Sequence, residues 1–361
     1  MHAAPGRVKG AQAPNYLARA ATSTLGRLIV NLITGGTGIV GAHVLLDLLR
    51  SGRSVRALHR AGSDRSMVDR IFSHYGQGEL VARIEWVEGD VMDVTALADA
   101  MQGIEHVYHA AALVSFDPRK STAMLRVNVQ GTANVVNAAL EAGVIRLCHV
   151  SSTAAIGTPA PGSIGDEALP WQDGDRVSDY SRSKHGAELE VQRGIAEGLD
   201  AVIVNPCVVL GPGHSGRSSM AIVDRLRKGT RWYTTGANAF VDARDVSACM
   251  LALMEQGRTG EQYLLVGENA GYKRLFTLMA EAFGHAVPYA EAKPWMLGLA
   301  WRTERLRGWL TGASPLVTKA TARTSLGQRA YSSQKARALI GYRFRTLEES
   351  VANVVSFAKG S

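Results

Sequence analysis

Residues 34–41 read Thr34-Gly35-Gly36-Thr37-Gly38-Ile39-Val40-Gly41. An apolar run rich in β-formers, residues 27–33, leads into them. "AHVLLDLLRSG" follows at helical spacing and closes on a glycine. Glycines packed this closely between a strand and a helix exclude most folds. Gly35 and Gly36 allow a tight turn. Gly38 lets the backbone approach an anion with no Cβ in the way, and Gly41 lets helix and strand pack closely. The helix N–H groups and dipole then favour a pyrophosphate. No Gly-Lys-Ser/Thr follows, so a P-loop is excluded. The context predicts dinucleotide binding through residues 34–41.

The rest of the chain repeats the strand–helix rhythm. "SVRALHR", "IEWVEGD", "HVYHAAA", "RLCHVSS" and "AVIVNP" read as further strands. Helical stretches such as "VTALADAMQG", "TANVVNAALEAG" and "SKHGAELEVQRGIAEG" lie between them. The strands are continuously apolar, as in a parallel sheet covered on both faces. After Pro206 the rhythm breaks. "GPGHSGRSS" reads as a loop, "AIVDRLRKG" as a helix, and "EQYLLVG" as a seventh strand that rejoins the sheet. From residue 272 onward helices dominate. The fold class expected is α/β: a Rossmann-type doubly wound parallel sheet with a smaller, mostly helical C-terminal substrate domain. The expected division gives residues 28–205 plus 241–267 to the nucleotide domain. Residues 206–240 plus 268–361 form the substrate domain, and 1–27 an extension.

Composition narrows the setting. The chain has 361 residues, 46% hydrophobic and 20% charged, which supports a sizeable core and argues against wholesale disorder. No apolar run reaches the roughly 18 residues of a membrane span. Cys148, Cys207 and Cys249 are far apart and odd in number, which suits a reducing compartment and buried thiols. No metal site is expected, because no Cys-x-x-Cys or Cys/His cluster occurs. The formal charge of +8 is uneven: residues 302–345 hold ten Lys or Arg against the single acid Glu304. That stretch is either a set of solvated helix faces or a surface toward an anionic small molecule. Nucleic acid is not expected, since basic and aromatic residues do not interleave. A homodimer is compatible with the chain. Residues 1–27 are Ala-rich and basic with no acid, like a transit peptide or a disordered tail. The expected location is cytoplasmic, or an organellar matrix if that segment is a transit peptide.

The second strand bears on the choice of nicotinamide. An NAD site places an acid near its end, about 20 residues past the glycines, for the ribose hydroxyls. Here the stretch reads His59-Arg60-Ala61-Gly62-Ser63. Arg60 suits a 2′-phosphate, so NADP is expected, with NAD as the alternative. Asp90 and Val91, just past the third strand, are placed to contact the adenine edge. Asp90 would equally serve as a cap for the next helix.

Tyr180 precedes Lys184 by one helical turn in "SDYSRSKHG". With this pair the chain resembles the extended branch of the short-chain dehydrogenase/reductase superfamily. It is most similar to dihydroflavonol-reductase-like and 3β-hydroxysteroid-dehydrogenase-like members, with nucleotide-sugar epimerases as neighbours. The resemblance runs from about residue 28 to the C-terminus. It rests on "TGGTGIVG", "GDVMD", "YHAAA", "NVQGT", "VSSTAAIG", "YSRSK", "NPCVVLGPG" and "FVDARDV" in that order. It implies Tyr180 as general acid/base and Lys184 on the nicotinamide ribose. It implies that Ser152 orients the substrate oxygen, with Thr153 as a close competitor and Ser151 as a helper. A free phenol has a pKa of about 10, and a nearby lysine and an oxidised nicotinamide should lower it.

The resemblance further implies that Ala110, Ala111 and Ala112 pass close to the cofactor. Asn128 either supports a water near the lysine or braces the central helix. Asn205-Pro206 with Gly211-Pro212-Gly213 is expected to form the turn beside the nicotinamide, with Asn205, Pro206 and Val208 contacting the cofactor. His109 and His149 read as packed histidines. On the substrate side Ser115, Thr153 and Trp171 are the candidates, with residues 158–179 overhanging the site. The Trp-rich helix 295–310 reads as packing, a lid, an interfacial membrane helix or a partner-binding helix. The leading expectation is an NADP-dependent oxidoreductase acting on a carbonyl or secondary alcohol of a small organic molecule. The alternatives are a nucleotide-sugar epimerase/dehydratase that keeps its cofactor tightly bound, and a non-catalytic cofactor-sensing scaffold.

Overall fold

The computed structural model describes residues 30–175, 177–216, 219–315 and 317–360. The extension 1–27 lies outside the described residues.

In chain order the first half runs β1 (Val30–Thr34), α1 (Ile39–Arg50), β2 (Ser54–His59), α2 (Ser66–His74), β3 (Ile84–Glu88), α3 (Val94–Ala100) and β4 (His106–His109). Then come α4 (Ser121–Leu125), a π-helical turn Arg126–Gln130, α5 (Gly131–Glu141), β5 (Arg146–Val150), α6 (Asp179–Ala196) and β6 (Ala201–Pro206). The second half continues β7 (Val208–Leu210), α7 (Met220–Leu226), β8 (Trp232–Tyr233), β9 (Ala237–Asp242), α8 (Ala243–Gln256) and β10 (Gln262–Leu265). It ends with β11 (Glu268–Gly271), α9 (Tyr272–Phe283), β12 (Ala290–Glu291), α10 (Pro294–Thr311), α11 (Lys319–Thr324), α12 (Gln334–Ile340) and α13 (Leu347–Lys359).

The main sheet has the order β10-β6-β5-β4-β1-β2-β3, with every pairing parallel. The strand order reverses beside β1, and a crevice opens there at the C-terminal edge. Successive strand residues point to opposite faces. Ile33, Cys148, Val202 and Val204 enter one core with α1, α2 and α8. Leu32, Leu147, Ala201 and Ile203 enter another with α3, α5 and α6. Both faces are therefore dry, which explains why the strands read as unbroken apolar runs. The three cysteines are buried among these side chains.

Two small sheets, β11-β9-β7 and β12-β8, carry the C-terminal half. A third core joins α7, α9 and α13. This half is pinned to the main sheet through α8. Asp245, buried in α8, accepts Arg345 N at 2.8 Å and the Tyr342 hydroxyl at 2.8 Å.

Candidate active site

The glycine loop is closed from within. Gly38 N donates to Gly35 O at 2.9 Å, and Gly38 caps α1 with no side chain over the helix end. Gly35 has φ +73°, and a Cβ there would lie 2.6 Å from the backbone of Ala110 and Ala111. A Cβ on Gly41 would lie 2.3 Å from Gly35 O. The first turn of α1 also carries no acid. The result is a bare, electropositive helix end, which suits a pyrophosphate.

Thr34 is fully buried and reaches away from this loop. Its hydroxyl lies 2.7 Å from His109 Nδ1 and accepts Ala111 N at 3.3 Å. His109 Nε2 lies 2.9 Å from the Thr132 hydroxyl, which donates to Asn128 O at 2.6 Å. Only one assignment satisfies every group: a neutral imidazole with its proton on Nε2. Burial pushes the His109 pKa down to about 3, and Lys184 adds to the shift. Asn128 then accepts Leu113 N at 2.7 Å and donates to Leu113 O and to Ser183 Oγ at 2.9 Å. Ser183 Oγ donates to Tyr180 O at 2.8 Å. One chain of hydrogen bonds thus runs from the glycine loop to the start of α6. Asn128 is tied to Leu113 and Ser183 within the protein, with both amide hydrogens engaged.

α6 begins at Asp179, with the Ser178 hydroxyl as its cap. Tyr180 and Lys184 share one face of it. The Ser152 hydroxyl is near enough to the Tyr180 phenol to lower its pKa. Ser152 ends the loop after β5, and its Oγ also accepts Ala154 N at 3.1 Å. Lys184 is buried and donates to Val150 O at 2.8 Å. Burial draws its pKa down to about 8, opposed by Glu188. Tyr180 corrects one expectation. Burial pushes its phenol up, and the group that opposes this is Ser152, not Lys184. The protein alone therefore keeps the phenol protonated.

Glu188 was missed by the sequence reading. It continues the Tyr180–Lys184 ladder by one more turn, and it is buried. It accepts Asn205 Nδ2 at 2.5 Å and Gln262 Nε2 at 2.8 Å. Burial raises its pKa, while Ser151, Asn205 and Lys184 lower it. Asn205 also donates to Ser152 O at 3.1 Å. Asn205 and Pro206 end β6 rather than forming a turn, and Val208 opens β7 in another sheet. The apolar run simply continues as strand through the proline. Its missing N–H is harmless at a strand end. Ser151 and Thr153 are buried beside Ser152.

A cavity of about 630 Å³ opens beyond the sheet edge, lined by Thr37, Arg60, Ser63, Asp90 and Asp93 among others. Asp90 accepts Met92 N at 2.9 Å, and it is Asp93 that caps α3 through Ala96 N. Val91 turns its side chain into the core, and its carbonyl accepts Asn134 Nδ2 at 3.0 Å.

On the substrate side, Phe116 meets the Tyr180 ring edge-on with centroids 5.6 Å apart. Phe116 and its neighbour Val114 are exposed. Ser115, expected at the substrate, accepts Asp117 N at 3.1 Å in the loop after β4. Trp171 lies flat on His185 of α6, centroids 4.3 Å apart. The segment expected to overhang the site is stitched to the C-terminal half by Gly165 N→Ala330 O at 2.9 Å. Among the described residues no acidic, His or Cys cluster could hold a metal.

A glycine-cradled helix end, a strand-order reversal and a Ser–Tyr–Lys set at one sheet edge coincide with a sequence match. The profile of the NAD dependent epimerase/dehydratase family matches residues 31–266. The chain belongs to that family. It is an NAD(P)-dependent enzyme of the extended short-chain dehydrogenase/reductase type. A Synechocystis sp. protein carrying a dihydroflavonol 4-reductase name is 31% identical over 330 residues, 90% of this chain and 92% of that one. "Sterol demethylase protein B" of Methylococcus capsulatus is 33% identical over 270 residues, 74% of this chain and 78% of that one. The crystal structure of gox2253 superposes with a TM-score of 0.76 at 31% identity, covering 92% of this chain and 98% of that one. A UDP-glucose 4-epimerase from Thermotoga maritima, solved with UDP-glucose, reaches 0.72 at 18% identity, covering 92% and 99%. At that identity it supports the fold alone. No helix among the described residues is long and apolar enough to cross a membrane.

Proposed function

We propose that this family member is an NADP-dependent oxidoreductase for a carbonyl or secondary alcohol on a small, largely apolar organic molecule. Tyr180 is its general acid/base. The carrying observation is that Tyr180 and Lys184 stand one turn apart on α6, with Ser152 close enough to act on the phenol and Lys184 buried against the end of β5.

The glycine loop and the α1 end would hold the pyrophosphate. Arg60 would meet the 2′-phosphate, and Lys184 the nicotinamide ribose. When bound, the nicotinamide supplies or takes the hydride. Ser152 donates to the substrate oxygen and fixes its distance from Tyr180. Tyr180, kept protonated by burial, gives its proton to that oxygen during reduction. Lys184 holds a positive charge beside the resulting phenolate. Phe116 and Val114 offer an apolar wall, which supports an apolar substrate over a nucleotide sugar. Residues 206–240 and 268–361 would close over the substrate.

The test is NADPH oxidation against a panel of aryl and alkyl ketones and aldehydes. Tyr180→Phe should lower turnover by at least about a thousandfold while the Kd for NADP+ stays within a few-fold. Near-wild-type turnover in that variant would overturn the role of Tyr180. A cofactor that survives desalting, with no net NADPH consumption, would favour epimerase chemistry instead.

A further inference from the structure

α10 runs for 18 residues, Pro294–Thr311, and only Gly308 on it is buried. Its outward positions follow heptad-like spacing: Trp295, Leu299, Arg302, Leu306 and Trp309, with Leu310 beside them. At about 100° per residue they form one stripe roughly 100° wide. The apolar members are between 56% and 79% exposed. Isolated exposed apolar residues need no explanation, but a continuous stripe of two tryptophans and three leucines does.

The charges on this face are of one sign. Arg302 lies within the stripe and Arg305 beside it, both exposed. The helix's one acid, Glu304, is on the other side, paired with Arg307 at 2.7 Å. Arg302 lies over the Trp301 ring at 4.7 Å and donates to Gly298 O at 2.8 Å, so its stem runs along the face. A second copy is a poor fit, because in-register two-fold pairing would set Arg302 against itself. The basic, acid-free residues 1–27 are no better.

We infer that the outer face of α10 docks on the surface of an anionic lipid bilayer. Trp295 and Trp309 stand about 21 Å apart along the axis, suited to anchor both ends of a helix lying in the headgroup plane. The leucines enter the acyl boundary, while Arg302 and Arg305 reach lipid phosphates. Exposed Val287 and Tyr289 stand just ahead of the helix. The far end of α10 is tied to the site. Arg119 donates to Gly312 O at 3.3 Å and Ala313 O at 2.9 Å while paired with Asp117 at 2.7 Å. Asp117 follows Phe116, which touches Tyr180. Docking would therefore set the active-site mouth at a fixed orientation to the lipid.

The test uses the full chain with vesicles of equal parts phosphatidylglycerol and phosphatidylcholine, and with phosphatidylcholine alone. The chain should co-sediment with the anionic vesicles, with a blue-shifted tryptophan emission, and bind the neutral ones more weakly. The double variant Trp295→Ser/Trp309→Ser should partition about tenfold less with unchanged Tm. Residues 1–27 are present in both proteins, so their charge cancels from the comparison. Equal partitioning of variant and wild type, or no binding to anionic vesicles at low salt, would overturn the inference. So would a dimer lost in the variant with no vesicle binding, which would make this face a protein interface.

Discussion

The Thr34 hydroxyl lies 2.7 Å from His109 Nδ1, joining the last residue of β1 to the last residue of β4. Both side chains are buried, and His109 spends its other nitrogen on Thr132. Thr34→Val preserves shape and β-branching but strands a buried ring nitrogen and Ala111 N–H. That should cost about 1–3 kcal/mol, read as a lower urea midpoint with an unchanged m-value.

The same burial makes the protein sensitive to acid. His109 is pushed down to about 3, and His43 and His106 to about 4, mainly by desolvation. Between those values and the ordinary 6.5 the unfolded chain binds protons that the folded one refuses. The histidines' contribution to stability therefore falls as pH drops below about 6.5. At pH 5 His109 alone accounts for about 2 kcal/mol. The raised carboxyls of Asp47, Glu188 and Asp245 pull the other way. Urea unfolding at pH 7 and pH 5 checks the net sign. NMR titration of the His109 and His43 rings reads the histidine part separately, and a ring that protonates near 6.5 would mean it is solvated.

Lys184 titrates early because burial draws its pKa to about 8. Its ammonium is present below that value and lost above it. Measured as kcat/KM for NADPH, which reports the free protein, the reductive rate should fall as pH rises through about 8. Lys184→Met should lack that limb and run about a hundredfold slower. An alkaline limb that survives in Lys184→Met would assign the titration to another group.

Asn205 is the hinge between Ser152 and Glu188, donating to both. Asn205→Ala removes one donor from buried Glu188, leaving Gln262 with Ser151 and Lys184 nearby, and frees the Ser152 carbonyl. The expected cost is about 2–3 kcal/mol of stability, with kcat falling more than KM rises. In a double-mutant cycle with Glu188→Gln the two changes should couple by more than about 0.5 kcal/mol. Strict additivity would mean the pair acts independently.

What was legible in the sequence was what lies close together along it. The glycine loop, the apolar strand runs and the Tyr180–Lys184 spacing are set by backbone geometry within a few residues. The Thr34–His109–Thr132 chain joins elements up to 98 positions apart, and a threonine gives no local sign of which histidine it will meet. Nothing in the sequence marks Glu188, because its partners, Asn205 and Gln262, arrive from two later strands. The turn expected at Asn205-Pro206 comes from the resemblance, but here the pair ends β6, where a proline's missing N–H costs nothing. The direction of the Tyr180 shift depends on burial, which spacing alone does not reveal. Phe116 had no motif around it and gained its place only when the loop after β4 folded against α6.

Arg60 gives the sharpest test of cofactor choice. It follows β2 and lines the cavity at the sheet edge together with Glu88, Asp64, Asp90 and Asp93. Three of those carboxylates are engaged by backbone N–H groups of Ser66, Met92 and Ala96. Their negative charge remains, so Arg60 has to outweigh it for a 2′-phosphate to bind. Arg60→Glu should raise the Kd for NADP+ by about tenfold to a hundredfold, the worth of a charge-assisted pair. The Kd for NAD+ should stay level or improve, since a carboxylate accepts from the ribose hydroxyls. Titration calorimetry with both dinucleotides reads the ratio directly. If wild type already prefers NAD+, the surrounding carboxylates dominate the ribose end and Arg60 only borders it.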